Sequence, residues 1–108
     1  MNILKEFQSK VKKGFYLNNL TSLMEQCLNL AKQTEVNALF LLLYGIFRDM
    51  YEIWYEQPLL AEKVKEVESM LIPYIINALE NRDSLETLNE LAKIYIQNRP
   101  FLYQAIVR

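Results

Sequence analysis

Between Val36 and Phe47 the chain runs without a single charge, and Arg48 and Asp49 follow directly. A helix that crosses a bilayer needs about 18 to 20 consecutive apolar residues, which this run does not supply. It is read instead as the start of a long soluble helix that must be covered by protein, and that requirement governs the rest of the fold. The chain has only two Gly and three Pro among 108 residues, so tight hairpins are scarce and long helices are favoured. With 52% hydrophobic and 23% charged residues it can build one core but not two. The expectation is therefore an all-α fold, a compact antiparallel bundle of four to five helices in one domain over 1–108.

Apolar spacing places the helices at approximately 2–13, 19–33, 35–56, 58–81 and 84–98, followed by a short C-terminal segment. In the first, Ile3, Leu4, Phe7 and Val11 share a face, and Gly14 closes the helix. In the second, Asn18 or Asn19 is the candidate cap, with Ser22 and Glu25 as an alternative capping box. Its stripe is Leu20, Leu23, Met24, Cys27, Leu28 and Ala31. Thr34 is placed to cap the third helix and Pro58 to open the fourth. The fourth carries a seam of Leu60, Val64, Val67, Leu71, Tyr74 and Ala78 at alternating four- and three-residue steps, and Ile72, Ile76 and Leu79 add a second apolar line. Pro73 falls inside this pattern, and because the seam keeps its register across it, a kink is expected rather than a break. The fifth starts at Asp83 or Ser84, with Glu86 set for a reciprocal capping bond. Leu85, Leu88, Leu91, Ala92 and Tyr95 form its stripe, and Asn98 with Pro100 ends it. A faint echo between Leu30–Leu41 and Leu91–Leu102 consists of residues common in helices and is read as chance rather than as a solenoid repeat.

Several chemistries are excluded by what the chain lacks. It contains no histidine, which removes Ser-His-Asp and Cys-His catalysis, the usual zinc sites and His-ligated haem. Its one cysteine, Cys27, lies on an apolar stripe and reads as a reduced core thiol. No glycine-rich phosphate loop or G-x-S-x-G elbow occurs. Two carboxylate groups, Asp49–Glu52–Glu56 and Glu62–Glu66–Glu68, lie opposite the apolar lines and read as solvated faces, not as a di-metal site. The chain is accordingly expected to be non-enzymatic, with no cofactor and no metal. The N-terminus shows no secretory leader, so the expected location is cytoplasmic. A net charge of −1 disfavours nucleic acid, leaving only a weak route through Lys5, Lys10, Lys12 and Lys13.

What is left is the third helix. Leu39, Leu43, Ile46, Met50 and Ile53 make one aliphatic line, and Phe40, Tyr44, Phe47, Tyr51, Trp54 and Tyr55 make an aromatic band beside it. Such a band can be core, a protein interface, or the lining of a pocket for a flat hydrophobic ligand such as a pigment, lipid or quinone. Apolar arcs on the third and late fourth helices are wider than one neighbour covers, which points to a second copy of the chain. The expected function is a protein–protein interaction module, a regulator, assembly factor or neutralising partner, acting as a homodimer. Its candidate contact residues are Tyr44, Phe47, Tyr51, Trp54, Tyr55, Ile72, Ile76 and Leu79.

Overall fold

A computed structural model describes residues 3–33, 37–56 and 61–106, and among these it shows five helices and no strand. They are α1 (Ile3–Lys12), α2 (Leu17–Gln33), α3 (Asn37–Glu56), α4 (Ala61–Glu80) and α5 (Leu85–Ile106). The expected caps at Thr34 and Pro58, and Leu60 of the fourth-helix seam, lie outside the described residues. The radius of gyration is 13.1 Å, close to the value of about 13 Å typical of a compact chain of this length.

α3 is the hub, because it packs most extensively along α2 and also against α5 and α4, while α1 lies against α2 and α4. Its aliphatic line is buried as its spacing predicts: Leu39, Leu43, Ile46, Met50 and Ile53 all lie in the core. Around them close Phe7 and Val11 of α1, Leu20, Leu23, Cys27 and Leu30 of α2, Val64, Val67, Leu71, Ile75, Ala78 and Leu79 of α4, and Leu91 and Tyr95 of α5. Phe7 meets Phe40 and Phe47 edge-on, with ring centroids 6.1 and 6.3 Å apart, and Phe15 meets Phe47 at 5.3 Å. Edge-to-face contacts of this kind satisfy the ring quadrupoles better than a stacked sandwich.

Several expectations are corrected. The first half of α3 is not buried all round, since Ala38 and Leu41 face solvent. Asp49 is not on a solvated face; it is buried between α3 and α5, where the Tyr95 hydroxyl donates to its Oδ2. Leu28 and Leu85 are exposed, whereas Leu30 and Ile75, which lie off the anticipated stripes, are buried. These shifts have one cause: the centre of the arc a helix buries is set by where its neighbours sit, not by the strongest seam in its own sequence.

Both prolines within the described helices are accommodated. α4 passes through Pro73 without interruption, and α5 continues through Pro100 to Ile106 instead of ending at Asn98. A helical proline removes one donor, leaving the carbonyl four residues earlier without its partner. Those residues are Ser69 and Ile96, both solvent-exposed, so water can reach the carbonyls that lose a bond. The turn before α5 is capped by Ser84, whose Oγ accepts from the Thr87 backbone N–H at 3.3 Å. That makes Thr87, not Glu86, the residue in the third helical position.

Candidate functional site

The candidate contact residues on α3 divide by direction. At 100° per residue the buried arc is centred on Leu39, Leu43 and Met50. Phe40 and Phe47 lie inside it at 0% exposure, enclosed by the Phe7 and Phe15 rings. Tyr44, Tyr51 and Trp54 are half-buried at its rim, and Tyr55 is 68% exposed. On α4, Leu79 is fully buried, while Ile72 and Ile76 are half-buried against the core. Phe47 and Leu79 thus belong to the core, Tyr44, Tyr51, Trp54, Ile72 and Ile76 are half-buried against it, and Tyr55 is the exposed member of the set.

Trp54 has a structural task that the sequence did not reveal. Its indole N–H donates to the carbonyl of Phe15 in the turn between α1 and α2. The N–H of the same residue donates to Glu68 Oε1 of α4 at 2.7 Å. The peptide groups on either side of Phe15 are therefore held by side chains from two other helices, and the ring between them is buried. Gly14, at φ 106°, provides the reversal that starts this turn. Asn19 completes the arrangement, donating from Nδ2 to the carbonyls of Lys10 at 2.6 Å and Gly14 at 2.7 Å. Asn19 therefore closes the end of α1 from within α2, rather than capping α2 as expected. Lys10, on the same side, donates to Ser22 Oγ at 2.6 Å, which takes it out of a free lysine patch; Lys5, Lys12 and Lys13 remain exposed.

With Trp54 committed inward, the solvent side of α3 is a ridge of exposed Leu41, Arg48 and Tyr55 and half-buried Tyr44 and Tyr51. Their spacing is three, four, three and four residues, the step of a helix–helix seam. Tyr51 and Tyr55 stack with centroids 6.0 Å apart and an interplanar angle of 17°. Arg48 Nε and Glu52 Oε1 pair at 3.3 Å along the same helix, both accessible to solvent. Gly45 borders the ridge with nothing within 4 Å of where a side chain would start.

Elsewhere, burial pushes the Cys27 thiol far above its ordinary range, so the nucleophilic thiolate is suppressed. Among the described residues no three His, Cys, Asp or Glu side chains gather as a metal site, and no helix is long and apolar enough to cross a membrane. The turn from Glu80 to Ser84 frames an open depression of about 440 Å3, lined by polar and charged residues. No family model, curated protein or solved structure matches the chain.

Proposed function

We propose that the protein is a non-enzymatic helical module that binds another protein through the outward ridge of α3. The observation that carries this reading is the continuous three-four seam of Leu41, Tyr44, Arg48, Tyr51 and Tyr55 on the solvent side of a helix whose opposite side is fully packed. A seam of that step suits a partner helix. Tyrosine and arginine are the residues that most often anchor protein interfaces, because each offers apolar area together with a polar end. The stacked Tyr51–Tyr55 pair is already ordered, so less side-chain entropy is lost on contact. The alternative of a carrier for a flat hydrophobic ligand is less favoured, because Phe40 and Phe47, which would line its pocket, are occupied by Phe7 and Phe15. Binding as a regulator, assembly factor or neutralising partner in the cytoplasm fits such a module.

The test is a photo-crosslinking amino acid placed at Tyr55, with the exposed Glu66 of α4 as the control position. The expected result is a discrete covalent adduct to protein from position 55 in living cells, and none from position 66. Equal labelling at both positions, or none at 55, would remove the ridge from consideration.

A further inference from the structure

We infer that the occupant of the α3 ridge is the α3 ridge of a second copy, the two helices running antiparallel across a two-fold axis. This rests on the reading of α3 as a protein-binding face and adds the identity and direction of the partner. A two-fold interface requires a patch complementary to itself, and the four seam residues Tyr44, Arg48, Tyr51 and Tyr55 have that property, because their steps of four, three and four read the same in both directions. With the axis between positions 49 and 50, Arg48 lies beside Tyr51 of the second copy, and Tyr44 lies beside Tyr55 of the second copy. The arginine then meets an aromatic face, a favourable contact for a guanidinium. Glu52 of the second copy falls one position further on, within reach of the same Arg48. Arg48 and Glu52 already pair within one chain at 3.3 Å, and their charges sum to zero on each copy. Two copies bring four alternating charges together rather than two like ones.

Alternative occupants are less well matched. A single arginine paired with a glutamate offers no positive field for nucleic acid or an anionic membrane. The net charge of −1 leaves little long-range repulsion between copies. Burial alone does not demand the dimer: the accessible surface of 6589 Å2 is near the roughly 6,300 Å2 of a folded monomer of 12.8 kDa. The self-paired stretch from Tyr44 to Tyr55 is only about 17 Å long at the rise of an α-helix. Such a contact is smaller than those of permanent dimers, so pairing is concentration dependent.

Sedimentation equilibrium of the full chain, from micromolar to millimolar, tests the inference together with two charge variants. Wild type is expected to rise from one chain mass to twice that mass. R48E places two acidic residues per copy at the seam and its edge and E52R two basic ones, so each variant alone should self-associate at least about tenfold more weakly. Mixed in equal amounts, they present opposite charges to each other and recover the doubled mass. Both side chains are solvent-accessible, and unchanged helical circular dichroism checks that both variants fold. A wild type that stays at one chain mass throughout would overturn self-pairing. So would an R48E variant that dimerises like wild type, or a mixture of folded variants that stays monomeric. If wild type is monomeric while the crosslinker at Tyr55 still captures a different protein, the self-pairing fails and the binding face stands; if no adduct forms at 55 either, both fail.

Discussion

Gly14 shows how much a single position decides in this chain. At φ 106° it occupies a backbone region that L side chains avoid, and a Cβ there would collide with the Glu68 carboxylate that holds the Phe15 N–H. Gly14→Ala should therefore combine backbone strain with loss of a partly buried, charge-assisted hydrogen bond and destabilise the fold by about 2–4 kcal/mol. Urea denaturation followed by circular dichroism reads this as a lower midpoint with an unchanged slope. The glycine itself was legible in the sequence as the end of α1, since glycine after an amphipathic run commonly stops a helix. Its partners were not. Glu68 stands 53 residues from Phe15 and Trp54 stands 39 away, and no local pattern reports which side chain will meet a given peptide group. Asp49 and Tyr95 illustrate the same limit: each reads locally as an ordinary surface or stripe residue, and only the packing of α3 on α5 joins them.

Individual helices were mostly legible because their apolar spacing has one solution. The aliphatic line of α3 and the Phe7–Val11 face of α1 are buried as that spacing requires. Proline was less informative. An isolated helix loses about 3 kcal/mol to an interior proline, yet α4 and α5 run through Pro73 and Pro100, and α4 does so while packed on α1, α3 and α5. Pro73 is exposed, so Pro73→Ala restores a donor without disturbing the core. It should raise stability by about 1–3 kcal/mol, seen as a higher thermal midpoint in calorimetry. A lower midpoint would mean that the path α4 takes through the proline is needed for its contacts with α1 and α5. The aromatic band of α3, in contrast, could not be divided from sequence: periodicity gives six rings on one side of a helix but not where the neighbours stop.

For the whole molecule, that division separates stability from binding. Domains of this size are stable by only about 5–15 kcal/mol. Phe47→Ala deletes a fully buried ring that joins α1, α3 and the Phe15 turn, and should cost about 3–5 kcal/mol, a large part of the total. Tyr55→Ala, two turns further along the same band, should change the stability of the monomer by no more than about 0.5 kcal/mol, because its ring is 68% exposed. Measuring both by chemical denaturation at low concentration tests the boundary between core and ridge. The sequence by itself determined that the chain is helical, roughly where its helices lie and which line of α3 must be inside, because helical periodicity and the chemistry of glycine are local properties. Only the tertiary structure decided that Trp54 turns inward to the Phe15 carbonyl, that Phe47 and Leu79 are enclosed, that Tyr44 and Tyr51 stay half-buried, and that Leu41, Arg48 and Tyr55 are left facing out. The reason is that burial depends on where the other helices end, and that is set by contacts between residues far apart in the chain.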